Sequence, residues 1–188
     1  IFDYQANLLI GQSVAIIGCG GVGLSLILAA KLRGASKVFV VDRSLAKQDL
    51  AYLQGATRYV NSIEDVQQKV DLILDTTGST EIISRLFSKL TDSGQLIMVG
   101  QPTPGKNLSI PDAVELFSGE GKQIRATQGG GGIPSRDIPR YLTLFESVET
   151  KIRNMVTHRF NLRDINEAFD VLIQGDAGRI MVKISVED

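Results

Sequence analysis

The chain has 188 residues, 43% of them hydrophobic, and 20 basic side chains against 21 acidic ones. That is enough chain to bury a core and too little net charge for a nucleic-acid footprint, and no run approaches the roughly 18 apolar residues of a membrane helix. Its one cysteine, Cys19, can form no internal disulfide, and with only His158 beside it no thiolate and imidazole set can hold a metal, so a reducing, cytoplasmic setting is expected.

The chain opens on Ile1 with no signal-like segment, which suggests a piece of a longer protein. An apolar strand from Ser13 runs into Gly18-Cys-Gly-Gly-Val-Gly23, and an apolar helix follows over 22–32. Lys37–Val41 is a second strand that stops on Asp42. A helix over 45–54 leads past Gly55 to a short strand, Arg58–Val60, and another helix is expected over 63–70. The apolar strand 72–75 ends in Thr76-Thr77-Gly78. A helix over 80–89 then stops at Asp92-Ser93-Gly94, whose glycine suits a tight turn before the strand 95–99.

From Gly100 the texture changes. After Gln101-Pro-Thr-Pro-Gly105 comes an extended 107–110, and Pro111 suits the first turn of a helix reaching Phe117. A strand over 122–127 precedes the flexible loop 128–134. Ser135 or Asp137 can cap the following helix, which carries Tyr141, Leu142, Leu144, Phe145 and Val148. A short extended piece (157–160), an amphipathic helix (164–174) closed by Gly175 and a last strand (180–184) complete the chain. Strands alternating with helices predict an α/β fold, a doubly wound parallel six-stranded sheet with helices on both faces, and one domain over 1–188 accounts for every residue.

The glycine stretch carries the chemistry. Gly18 permits the turn out of the strand, Gly20 removes a side chain where a pyrophosphate must approach the backbone, and Gly23 lets the helix pack on the sheet. Phosphates then meet free N–H groups at a helix N-terminus, and an acid about 20 residues later, Asp42, accepts the ribose hydroxyls. This is the dinucleotide-binding signature of a Rossmann sheet; a bland reading leaves a glycine turn and a solvated strand-end carboxylate. A carboxylate at Asp42 predicts NAD, because it repels a 2′-phosphate. Arg43 beside it could clamp that phosphate, but Asp42 holds the strand end and is expected to prevail. The catalytic groups are missing: there is no metal set, no Tyr-x-x-x-Lys pair and no Ser, His and Asp constellation. Cys19 has no base to activate it, and His158 has no partner that would make it catalytic.

Together with Gly55-Ala-Thr-Arg-Tyr-Val-Asn61, Val99-Gly100, Thr157-His-Arg-Phe160 and Ile165-Asn-Glu-Ala-Phe169, these motifs resemble the zinc-containing medium-chain alcohol dehydrogenases, whose C-terminal half is a cofactor domain. The resemblance runs from Gly11 to the end. It implies that Gly18, Gly20, Gly21, Val22 and Gly23 form the pyrophosphate turn, and that Asp42 and Lys47 hold the adenosine ribose. Arg43 would lie on the adenine face, with Thr76, Thr77 and Gly78 lining the adenosine and ribose groove. Val99, Gly100 and the backbone from Ala126 to Gln128 would meet the nicotinamide ribose and carboxamide, and Arg179 would approach the pyrophosphate. Lys47 and Arg179 could otherwise be solvated surface charges, and Thr76 and Thr77 a satisfied strand end.

The resemblance further implies an upstream catalytic domain holding zinc, a small-molecule alcohol substrate that this zinc activates for hydride transfer to NAD, and no turnover from this chain alone. Gln101, Thr103 and Gln128 are candidates for a cleft lining. A homodimer would form through the cofactor domain, at the edge made by 107–117 and the next strand. Neither a membrane nor a nucleic-acid partner is expected. Two alternatives stay open: a zinc-free quinone or enoyl reductase of the same superfamily, and a non-catalytic NAD(H)-sensing module.

Overall fold

The computed structural model describes residues 1–184. Five-residue strands β1 (Ser13–Ile17) and β2 (Lys37–Val41) lie side by side in parallel, and β3 (Arg58–Val60) extends the sheet beyond β2. On the other side of β1 follow β4 (Val70–Asp75), β5 (Leu90–Met98) and β6 (Gln123–Ala126), giving the order β3-β2-β1-β4-β5-β6 with every pair parallel. Strand order reverses between β1 and β4, which opens a crevice at the carboxyl ends of the strands. The six-stranded sheet and its flanking helices match the expected fold class.

Alternate strand residues feed two cores. Val14, Ile16, Val38, Val40, Leu72 and Leu74 point toward α1 (Gly21–Leu32) and α2 (Gln48–Gln54), where Leu24, Ile27 and Ala51 are fully buried. Ala15, Ile17, Phe39, Val41 and Ile73 point the other way, onto α3 (Thr80–Leu86) with Ile83 and Leu86. Burial on both faces is why these strands read as nearly continuous apolar runs. After β6 come α4 (Pro134–Glu146) and α5 (Glu149–Asn154). Then β7 (Val156–Asn161), α6 (Ile165–Gln174) and β8 (Arg179–Lys183) form a separate parallel two-stranded unit. The domain expected over 1–188 runs into 185–188, which lie outside the described residues.

Several local expectations are corrected. The stretch 63–70 holds only a 3-10 turn at Ile63–Asp65. Ile63 and Val66 are buried in the same core as Val70, which already opens β4, and so short a segment must cover the depth of the sheet, which extended chain does at about 3.3 Å per residue and helix at about 1.5 Å. At 92–94 the residue in the left-handed region is Ser93 (φ 64°), not Gly94, whose β-carbon would instead stand 2.9 Å from the Thr91 carbonyl oxygen. Pairing already begins at Leu90 opposite Val70, then slips so that Gln95 faces Leu72. The helix expected from Pro111 is a 3-10 turn over Ala113–Phe117, because the Asp112 side chain accepts from Val114 N and sets the start there. Ser135 does not cap α4. Pro134 occupies its first turn, and Asp137 reaches back to accept from Ile133 N at 2.7 Å.

The apolar side of α4 is not sealed into a core: Leu142, Leu144 and Phe145 are exposed, and Tyr141, Leu144 and Phe145 line a groove of about 1020 Å³ opposite Val22, Leu26 and Leu32 of α1. Asp137 ties this helix to the N-terminal segment, accepting from Tyr4 Oη at 2.7 Å and Arg136 Nε at 3.0 Å. The Arg136 guanidinium foremost, then the Tyr4 hydroxyl, holds its carboxyl down at about 2, below an ordinary value of 3.8. A carboxyl more acidic when folded stabilises the fold above its unfolded pKa, and that contribution is lost as pH falls from about 4 through about 2. Thermal midpoints measured across this window should fall more steeply for the parent than for Asp137→Asn, and parallel curves would refute the assignment.

Candidate functional site

The residues expected to bind a dinucleotide converge on the carboxyl edge of the sheet, at or just beyond the strand ends. Backbone bonds continue the ladder there: Gly18 N donates to Val41 O (2.8 Å), Thr76 N to Ile17 O (2.9 Å), Val99 N and Gly100 N to Asp75 O (2.8 and 2.9 Å), and Thr127 N to Met98 O (3.0 Å). The turn after β1 is held from two sides. Gly18 has φ 92°, where a β-carbon would also overlap Thr76 Oγ1, and a β-carbon on Gly23 would overlap the Gly18 carbonyl oxygen. Gly20, by contrast, faces open space, with no atom within 4 Å of where a β-carbon would stand. As the N-cap of α1 it offers no side-chain acceptor to the first-turn N–H groups, which leaves them for an anion.

Over that helix end lies Arg179, whose Nε is 2.5 Å from the position of a Gly21 β-carbon. A guanidinium parked at the positive end of a helix dipole is electrostatically unfavourable unless an anion comes between them. Val22, 45% exposed, borders the same place and the groove beside it.

Asp42 follows β2 directly. Its Oδ2 accepts from the Cys19 backbone N–H at 2.6 Å, stitching the acid to the glycine turn, and its Oδ1 accepts from Ser44 N at 3.0 Å. Lys47 is no solvated surface charge: it is buried, stands 3.3 Å from Asp42 Oδ2 and donates to Gly175 O at 2.7 Å. Arg43 differs, with its side chain exposed and only its carbonyl engaged, by Asn61 Nδ2 at 3.3 Å. Burial first, and the Asp42 charge second, push the Cys19 thiol up to about 12, so it stays protonated and inert as a nucleophile at neutral pH.

On the other side of the switch point, Thr76 Oγ1 donates to Ile17 O at 2.8 Å. Thr77 is exposed, and Gly78 and Gly100 meet backbone to backbone: a β-carbon on Gly100 would overlap Gly78 N. Val99 is half-buried, Ala126 ends β6 opposite Met98, and Gln128 is exposed at the head of the short turn Gly129–Gly131. Gln101 and Thr103 are exposed beyond β5.

Asp75, recognisable in the sequence as the end of an apolar strand, was assigned no role at the site. It is fully buried, its Oδ1 accepts from Thr77 Oγ1 (2.6 Å) and Thr77 N (3.2 Å), and its Oδ2 accepts from Gly78 N (2.9 Å). An acid closing an otherwise apolar strand just before Thr-Thr-Gly was the available signal. Ser44 and the Gly175–Asp176 turn were also missed; their contacts span more than 120 residues and have no local signature.

A family model described as zinc-binding dehydrogenase matches residues 21–147. The chain belongs to the zinc-binding dehydrogenase family. The S-(hydroxymethyl)glutathione dehydrogenase of Saccharomyces cerevisiae is 32% identical over 194 residues, covering 95% of this chain and 49% of that protein. Alcohol dehydrogenase 2 of Oryza sativa subsp. japonica is 30% identical over 186 residues, covering 93% and 48%. The benzyl alcohol dehydrogenase of Acinetobacter calcoaceticus superposes with a TM-score of 0.86 at 28% identity, covering 95% of this chain and 51% of that one. The zinc-binding dehydrogenase chain thus spans about half the length of the curated relatives it matches. The family match closes at α4, before the β7–α6–β8 unit that delivers Arg179. Among the described residues, no three His, Cys, Asp or Glu side chains gather as a metal site, and no helix is long and apolar enough to cross a membrane.

Proposed function

We propose that this chain is the cofactor-binding half of an alcohol or polyol dehydrogenase and binds NAD(H) along the carboxyl edge of its sheet. The observation that carries this reading is the Arg179 guanidinium set against the uncapped N-terminus of α1, an arrangement that asks for a pyrophosphate. Open space at Gly20 admits the phosphates. Asp42, held in place by Cys19 N and Lys47, keeps lone pairs for the ribose hydroxyls, and Thr76, Thr77 and Gly78 wall the adenosine side. Val99, Gly100, Ala126 and Gln128 border the nicotinamide end.

When bound, the dinucleotide would supply the hydride chemistry, and Val99, Gly100, Ala126 and Gln128 would orient its nicotinamide end and close one wall around it. No step through zinc is assigned to these residues, which do not form a ligand set, and the chain alone is expected to turn nothing over. Among the described residues strand β6 has a neighbour on one side only, and Val114 and Phe117 are exposed close by in sequence, which supports a homodimer built by pairing this edge across a two-fold axis. A cytoplasmic location accords with the single, buried thiol.

Calorimetric titration of the full-length protein is expected to show one saturable NADH site, with NADPH weaker by roughly ten- to hundredfold, the worth of one charge-assisted hydrogen bond. Arg179→Ala should weaken both dinucleotides alike, by about tenfold or more, because it faces the part they share. Tighter binding of NADPH would overturn the choice of cofactor, and no binding of either would overturn the function.

A further inference from the structure

The adenosine end of the groove is closed by a turn outside the family-matched stretch. Gly175 and Asp176 join α6 to β8, and the Gly175 carbonyl accepts from buried Lys47 at 2.7 Å. Ser44 Oγ donates to Asp176 Oδ1 at 2.7 Å, while Ser44 N donates to Asp42 Oδ1 at 3.0 Å. Tyr59 Oη fixes the same serine through its carbonyl oxygen at 2.6 Å. Asp42, Ser44, Asp176, Gly175 and Lys47 therefore close a ring in which one serine bridges two carboxylates.

The charges in this ring bear on the choice of dinucleotide. Asp42 alone would repel a 2′-phosphate, but Lys47 stands 3.3 Å from it and offsets its charge. Arg43, exposed next door, adds another cation, so that Asp42, Arg43 and Lys47 together sum to +1, a corner that attracts a phosphate. Asp176 brings the sum to zero, and it takes part in no ion pair among the described residues that would cancel it.

We propose that Asp176, held in place by Ser44, is a specificity-determining residue that disfavours a dinucleotide carrying a 2′-phosphate. Preference for NAD over NADP is then shared between the strand-end acid and the α6–β8 turn. This rests on the reading that the groove holds a dinucleotide at all.

The test is titration of the full-length protein and its variants with NADH and NADPH, followed by nicotinamide fluorescence. Asp176→Asn keeps an oxygen for the Ser44 hydroxyl and removes only the charge. The ratio of the NADPH to the NADH dissociation constant should fall roughly five- to tenfold, as expected for one surface charge several ångströms from a dianion, and the shift should shrink as salt is added. Ser44→Ala frees the carboxylate to move into solvent and should give a smaller shift of the same sign; Arg43→Ala should shift the ratio the opposite way. A ratio unchanged in Asp176→Asn, including equal weakening of both cofactors, overturns the proposal while leaving the dinucleotide site intact. Failure of the parent protein to bind either cofactor would overturn the dinucleotide reading and this inference with it.

Discussion

Gly23→Ala is expected to destabilise the protein by about 3 kcal/mol, the upper end for overpacking a rigid site. The added β-carbon would overlap the Gly18 carbonyl oxygen and stand 3.0 Å from its carbon, with Ile16 Cγ2 behind it at 3.7 Å. Neither side can retreat easily: Gly18 N is bonded to Val41 O, and Ile16 lies in the fully buried central strand. Relief would require α1 to lift from the sheet, carrying the first-turn N–H groups away from the carboxyl edge, so dinucleotide binding should fall with stability. Gly20→Ala separates the two effects. Its β-carbon meets nothing within 4 Å, and exchanging an N-cap glycine for alanine costs about 1 kcal/mol or less. The methyl group would nonetheless occupy the approach to the turn, and binding should suffer out of proportion. Denaturation midpoints and titrations of both variants decide it; a Gly23→Ala midpoint equal to the parent's would refute the packing account.

The central sheet was legible because strands buried on both faces must be apolar throughout, and because glycine and acidic residues punctuate their carboxyl ends. Lys37–Val41 followed by Asp42, and the run ending at Asp75, needed no tertiary knowledge to be read as strands. Periodicity was less informative about what an apolar face meets. The stripe on α4 is real, yet within these residues it borders a groove, and β7 and β8 pair with each other instead of joining the main sheet. At 63–70 the need to cross under the sheet overrode a pattern that suited a helix. The glycine turn was legible because its steric demands fall on adjacent residues. The ring through Ser44 and Asp176 was not, because a hydrogen bond between residues 132 apart depends on where the β7–α6–β8 unit docks.

Asp75→Ala is the second large effect, with an expected loss of about 3 kcal/mol: three donors lose their acceptor, at about 1–3 kcal/mol for each one that water cannot reach, and exposed Thr77 recovers part of that from solvent. Thr77 N, Thr77 Oγ1 and Gly78 N all converge on this fully buried carboxylate, which shapes the turn placing Gly78 against Gly100. Without it the turn has no reason to hold that contact, and dinucleotide affinity should drop more than tenfold although Asp75 is not expected to touch the cofactor. Asp75→Asn discriminates between shape and acceptor count. Asparagine fills the same volume but presents a single oxygen, so its NH₂ must face either the Thr77 donors or Gly78 N, donor against donor. It should therefore recover only part of the alanine loss in both chemical denaturation and titration. Full recovery by asparagine would mean that Asp75 acts by filling space, and that the loop is held by the backbone bonds from Val99 and Gly100 to the Asp75 carbonyl instead.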